Sequence, residues 1–343
     1  MKSKISEFFE NKYYTNLPVI PLVGIHSARI ANIDIQKALV DGSLMAKAEL
    51  KALKSYNYNG VLTFMDLTLE AEALGCEIQC HKETVPSVKK VLFRDLDKHN
   101  LIEISNIEKS KRVSEFLRAV RIMAEDIDCS KTIVGAYVTG PFTLAGQVMG
   151  METIFESMIL HPDEFREILE KTLEITIEMT EKFIGEGADL VVVLDPMASP
   201  DLISPIHFEE FAEPYLQKVV ANTYNKDVLL VLHICGDTTN ILTKMLECGY
   251  DGLSIDSKVD IGYAARVIKN RALLIGNVDP VNILLNGSPE DVRRASVACI
   301  ENSLEAKYFI LSSGCEVPKN SPKGNIEEMV KVARKYDFNH RKK

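Results

Sequence analysis

The sequence predicts a closed (β/α)8 barrel of the α/β class, and three observations carry that prediction. Short β-branched apolar runs alternate with longer amphipathic stretches along nearly the whole chain, the pattern of a parallel sheet covered by helices. Eight such runs occur in 343 residues, which favours a closed TIM barrel over an open doubly wound sheet. Polar residues recur at the carboxyl ends of the runs, the face on which barrels build their sites.

The eight strand candidates are VIPLVG (19–24), VLTFMD (61–66), IVGAYVTG (133–140), LVVVLD (190–195), VLLVLH (228–233), GLSID (252–256), ALLIGNVD (272–279) and YFILSSG (308–314). Helices are expected at 163–186, 207–222, 238–248, 260–270, 288–304 and 325–336. In the first of these, Phe165, Ile168, Leu169, Leu173, Ile175 and Met179 recur at roughly helical intervals with charges between them. Residues 75–109 carry Cys76, Cys80, His81 and Pro86 without a clean helical period, and read as an excursion over one barrel mouth. No Gly/Ser-rich linker interrupts the chain. The expectation is one domain over 1–343, with an N-terminal cap at 1–18.

Composition removes several function classes. With 40 basic and 49 acidic residues, a net charge of −9 and no basic stripe with interleaved aromatics, the chain is not expected to bind nucleic acid. No apolar run is long enough for a bilayer, and the start MKSKISEFFENKYY lacks the apolar stretch of a signal peptide. A cytoplasmic protein without a membrane partner is therefore expected. The seven scattered cysteines favour free thiols or metal ligands over a disulfide frame.

His233 and Cys235 stand one residue apart where VLLVLHICGD leaves its strand, and Cys315 follows the last strand in YFILSSGCEVP. Two thiolates and an imidazole suit tetrahedral zinc and leave a fourth position for water or substrate. The blander alternative is three packed core residues, since buried cysteines and lone histidines are common. Asp66 and Asp195 end other strands. They are catalytic candidates as partners that orient His233 or a bound water, or else helix caps or salt-bridge partners. Glu70 and Glu72 are open to the same two readings. Tyr137 and Gln147 are expected to face the mouth, with barrel filling the alternative for Tyr137, and Asn277 either lines the mouth or begins a helix. Strand alternation should send Cys76 and Cys80 to one side and His81 to the other, so CEIQCH is not read as a second metal site.

Longer stretches carry a resemblance. FMDLTLEAEALGCEI, GPFTL at 140–144, DLISPIHFEEFAEPYL at 201–216, HICGDTTNIL at 233–242 and GCEVPKNSPKGNIEEMV at 314–330 are similar to the uroporphyrinogen decarboxylase superfamily. Within it they resemble the branch of methylcobamide:coenzyme M methyltransferases and related corrinoid-dependent methyltransferases, from about residue 5 to residue 337. That resemblance implies a (β/α)8 barrel and zinc held by His233, Cys235 and Cys315. It also makes Tyr137, Gln147 and Asn277 candidates for contact with substrate or corrinoid. The decarboxylase pattern departs from this chain at GIHSAR, where Arg29 stands without the arginines of that branch, and at Gln147 and Cys315, where a tyrosine and a histidine are found. A tetracarboxylate porphyrinogen also needs more cations than the expected pocket offers.

The resemblance therefore implies a zinc-dependent enzyme that moves a methyl group from a methylated corrinoid, presented by a partner corrinoid protein, to a small thiol such as coenzyme M. Zinc holds a thiol as thiolate near neutral pH, ready for in-line attack on methyl-cobalt. Homocysteine or tetrahydrofolate as acceptor, uroporphyrinogen decarboxylation, and a non-catalytic corrinoid scaffold are the alternatives.

Overall fold

Seven parallel strands form one continuous sheet: β1 (Gly60–Leu62), β4 (Ile133–Thr139), β5 (Leu190–Leu194), β6 (Leu229–Ile234), β7 (Gly252–Ile255), β8 (Leu273–Val278) and β9 (Tyr308–Ser313), in that spatial order. The computed structural model describes Phe9 and residues 16–128, 130–223 and 227–336. Every residue of these seven strands is buried, as expected where helices cover one face and side chains fill the other. Between sheet and helices lie Phe116, Phe142, Phe165 and Phe183, all with 0% exposure.

The first expected strand, 19–24, is replaced by a single parallel bridge from Val19 to Leu311. Pro18 and Pro21 flank it, and a residue without an N–H cannot sustain a ladder. The segment still closes the ring. Ile20 donates to Leu311 O (2.9 Å), and Asn59, just before β1, donates to Val19 O (2.9 Å). The second expected strand is shorter than 61–66, because the chain turns at Phe64 to Asp66 (Asp66 N to Phe64 O, 2.9 Å). The remaining six agree with the sequence to within a residue or two. Helix 207–222 divides into Pro205–Phe211 and Glu213–Thr223, with Pro214 setting the start of the second piece.

The excursion contains structure that its composition hid: an antiparallel hairpin of β2 (Glu77–Gln79) and β3 (Ser87–Lys90), a 3-10 turn at Leu96–Leu101 and the helix Ile104–Lys109. Leu92 N and Phe93 N donate to Val148 O (2.8 and 3.2 Å), which ties it to the loop side of β4. The cap expected at 1–18 lies outside the described residues apart from Phe9 and 16–18, and Phe9 stacks on Tyr308 with ring centroids 5.7 Å apart. Among the described residues no helix is long and apolar enough to cross a membrane.

Candidate metal centre

Alternation along β6 sends residues 233 and 235 to the same side, and Cys315 follows the end of β9. The three side chains meet. His233 Nε2 lies 3.3 Å from Cys235 Sγ, the two sulfurs are 3.8 Å apart, and one ligand atom from each residue lies within 4.8 Å of the others. A tetrahedral zinc with Zn–S near about 2.3 Å places its sulfurs about 3.8 Å apart, so the donor set and its spacing both fit that ion. Among the described residues this is the one His/Cys/Asp/Glu group with such spacing.

Backbone geometry makes the approach possible. Gly236 follows Cys235 at φ +93°, where a Cβ would lie 2.5 Å from Asp201 Oδ2 and 2.7 Å from Ser199 Oγ, so a side chain there would push the cysteine turn out of place. Its N–H donates to Asp256 Oδ2 (2.9 Å). On the other side, Glu316 accepts from Ile25 N (3.1 Å) and locks the Cys315 turn to the start of helix Ile25–Ala31; burial lifts its pKa to about 8.

His233 is 1% exposed, and with its proton on Nδ1 it donates to the carbonyl oxygen (3.0 Å) and to Oγ (3.1 Å) of Ser254. That fixes the tautomer and leaves the Nε2 lone pair toward the sulfurs. Burial opposes charge on this ring, but Cys315 and Asp256 outweigh it and raise its pKa. Cys315 is held far below the usual thiol range, first by its hydrogen bond with Cys235 and further by His233, whereas Cys235 is driven up.

The carboxylates expected to orient His233 lie elsewhere. Asp66 accepts from Thr68 N (2.9 Å), Thr68 Oγ1 (2.7 Å) and Arg112 Nη1 (2.5 Å). Asp195, with 0% exposure, accepts from Thr143 N (2.7 Å), Thr143 Oγ1 (2.6 Å) and Phe142 N (3.4 Å), clamping the start of helix Pro141–Met149. Burial raises its pKa to about 6. Gly140 makes this clamp possible, since a Cβ there would lie 2.6 Å from Asp195 Cβ. Both acids are corrected from orienting groups to braces, because Ser254 already takes the Nδ1 proton. Glu70 accepts from Thr139 N (3.1 Å) and Thr139 Oγ1 (2.7 Å), with its pKa raised by burial to about 7, and Glu72 pairs with Arg112. Both acids are thus engaged away from His233, Cys235 and Cys315.

Asn277 is also corrected. Its Nδ2 donates to Asp256 O (2.9 Å) and Val259 O (2.8 Å), and its Oδ1 accepts the Cys299 thiol (3.6 Å). Both Nδ2 hydrogens are thus committed to the loop after β7, which this amide braces. Tyr137, 6% exposed, lines a cavity of about 20 Å³ inside the barrel together with Leu62, Leu194, His233 and Ser254. Gln147 lines a larger one, of about 390 Å³, beneath the excursion. Cys76 is buried with its thiol on Gln147 O (3.7 Å), Cys80 is exposed, and His81 meets Ser87 Oγ (2.8 Å), so these three diverge. Cys248 and Cys299 are buried thiols, and Cys129 lies outside the described residues.

Sequence reasoning missed Ser254 and Arg112. Ser254 stands beside His233 in the β6–β7 register, a signal available only once the two strands are aligned. Arg112 is 46 residues from the acid it neutralises.

A closed α/β barrel bearing one imidazole and two cysteine sulfurs together at its loop-side mouth is the class of protein that the fold and site define. The chain belongs to the uroporphyrinogen decarboxylase (URO-D) family, whose sequence model matches residues 1–336. It is 33% identical over 303 residues to the methylcobamide:CoM methyltransferase MtbA of Methanosarcina mazei, covering 88% of this chain and 87% of that protein. Against MtaA of Methanosarcina barkeri, also a methylcobamide:CoM methyltransferase, identity is 30% over 303 residues, with 88% and 86% covered. A solved methyltransferase from Methanosarcina mazei superposes with a TM-score of 0.87 at 26% identity, covering 97% of this chain and 98% of that one. The chain is accordingly an enzyme of the methyltransferase type.

Proposed function

We propose that this enzyme transfers a methyl group from a methylated corrinoid, held by a partner corrinoid protein, to a small thiol such as coenzyme M, with His233, Cys235 and Cys315 holding a zinc ion. The observation that carries the reading is the meeting of these three donors at one point, with sulfurs 3.8 Å apart and His233 Nδ1 engaged by Ser254. The names of the relatives, methylcobamide:CoM methyltransferases, supply the class of donor and acceptor. Zinc bound there would keep an incoming thiol in its nucleophilic, deprotonated form at neutral pH. The chain's own residues hold the site in place: Ser254 sets the imidazole, Asp256 fixes the turn after Cys235, and Glu316 fixes the turn after Cys315. Placement on strand ends limits the drift of any ligand atom, which matters because misplacement of about 1 Å costs about a hundredfold in rate.

The neighbouring cavity argues against uroporphyrinogen as substrate. Its lining, which includes Met65, Leu67, Thr68, Gln147 and Met197, contains no lysine or arginine to meet four carboxylates. The test is direct. Purified protein should contain about one zinc per chain, lost in Cys235→Ala and Cys315→Ala. It should also demethylate methylcobalamin, followed by its absorbance, when 2-mercaptoethanesulfonate or another small thiol is supplied. Full activity of the metal-free protein, or coproporphyrinogen formed from uroporphyrinogen, would sink the reading.

A further inference from the structure

Two segments on the loop side of the sheet carry an apolar face in acidic surroundings. Residues 151–164, on and after helix Met151–Leu160, and residues 199–214, around helix Pro205–Phe211, hold five of the ten large apolar side chains that are exposed among the described residues. Ile206 and Ile159 are the most open, at 73% and 71%, and Met151, Leu160 and Leu202 accompany them. Single exposed apolar residues are ordinary, but half of them gathered on two segments mark a contact surface. Arg166 clasps the segments together, pairing with Asp163 and Glu210, and its neighbour Phe165 packs on Phe211 with ring centroids 5.5 Å apart.

The face runs up to the metal centre. A Cβ on Gly236, the residue after Cys235, would lie 2.5 Å from Asp201 Oδ2, and Leu202 is the next residue along. Charge narrows the kind of partner. The two segments contain eight acidic residues and no lysine or arginine. Among the described residues four cations from outside reach those acids, Arg94, Arg166, Lys244 and Lys258, and eight acids less four cations leave −4. A second copy of this chain seated on the same face would set that charge against itself. A partner with an apolar centre ringed by lysine and arginine matches both features.

We infer that this face docks the protein that carries the methylated corrinoid, through an apolar patch with a basic rim on that partner. The inference rests on the reading that the methyl group arrives on a corrinoid protein. A carrier that brings methyl-cobalt to His233, Cys235 and Cys315 has to rest on the loop side, and this face meets the Cys235 turn there.

The probe is the corrinoid protein purified, by its corrinoid absorbance, from the cells that make this enzyme, and free methylcobalamin is the control. Sedimentation followed at that absorbance gives the Kd, apart from turnover, for wild type, Ile206→Asp, Ile159→Asp and Leu304→Asp. Leu304 is 63% exposed but lies between helix Pro289–Asn302 and β9, at the opposite end of the barrel. Each face variant should raise the Kd about tenfold or more, because it sets an unpaired carboxylate in an apolar contact. Salt raised from about 0.05 M to about 0.5 M should weaken wild-type binding by screening. Leu304→Asp should bind as wild type, and all three variants should keep the wild-type unfolding midpoint and rate with free methylcobalamin. Wild-type Kd in both face variants, an equal loss in Leu304→Asp, or no binding of the corrinoid protein by wild type overturns the inference. So does a wild-type dimer that Ile206→Asp converts to monomer, which would give the face to a second copy. Transfer from free methylcobalamin to a thiol without Ile206-dependent docking would leave the proposed reaction standing alone. Salt-sensitive, Ile206-dependent binding of the corrinoid protein without transfer to any thiol would do the reverse.

Discussion

Replacing Ser254 by alanine removes one of two oxygens that hold His233 in the orientation a metal requires. The ring Nδ1 is 3.0 Å from the Ser254 carbonyl and 3.1 Å from its hydroxyl, so one N–H is shared between two acceptors on the same residue. The carbonyl survives the substitution. The loss is therefore that of one modest hydrogen bond, about 0.5–1.5 kcal/mol, or roughly two- to twelvefold in zinc affinity. That lies mostly below the range of about 10- to 100-fold found when the partner of a metal-bound histidine is removed outright, as expected when the carbonyl remains. Competition with a chromophoric chelator, at fixed pH, measures the difference. Cys235→Ala in the same assay should lose far more, since it deletes a ligand instead of loosening one. Unchanged affinity in Ser254→Ala, together with weakened affinity in Asp195→Asn, would refute the assignment of Ser254 as the orienting group. Zinc bound with wild-type affinity by Cys235→Ala would refute the centre itself.

Asp195→Asn addresses the buried brace. Burial raises the pKa of Asp195 from 3.8 to about 6, so the folded state holds the proton more tightly than the unfolded one, and stability falls as pH rises from about 4 to about 6. The change is worth about 3 kcal/mol. In urea unfolding the stability of wild type relative to Asp195→Asn should decline by about that amount across this window, and a pH-independent difference would contradict the argument. Arg112→Met should leave the fully buried Asp66 carboxylate without its cation, at a cost of about 3–5 kcal/mol, with most of it recovered in the double variant Arg112→Met/Asp66→Leu. Less than about 1 kcal/mol of loss in the single variant would show that Thr68 alone suffices for Asp66.

The barrel was legible because its strands are buried on both faces, and runs such as LVVVL at β5 have no competing reading. Segment 19–24 was overread because its apolar content suits a strand while its flanking prolines forbid the ladder. The hairpin at 77–90 was invisible for the opposite reason: its strands are short and mostly exposed, so no alternation marks them. Within the site, His233, Cys235 and Cys315 could be singled out by residue type and position alone. Asp66, Asp195 and Asn277 could not be separated from ligand-facing groups, since a polar residue at a strand end looks the same whether it aims into the mouth or at the next loop. Partners 46 and 52 residues away decide that for Asp66 and Asp195.

The braces and the donors divide the mouth between them. Asp66, Glu70 and Asp195 fix the loops after β1, β4 and β5, where the large cavity lies, while the triad hangs from β6 and β9. The triad's orientation then depends on strand register. In the parallel ladder His233 is paired with Ser254, and a slip of one residue would place Leu253 or Ile255 there, removing the hydroxyl and turning an apolar side chain toward the ring. The same pairing that builds the barrel therefore selects the imidazole tautomer, and the site needs no separate loop to position its histidine.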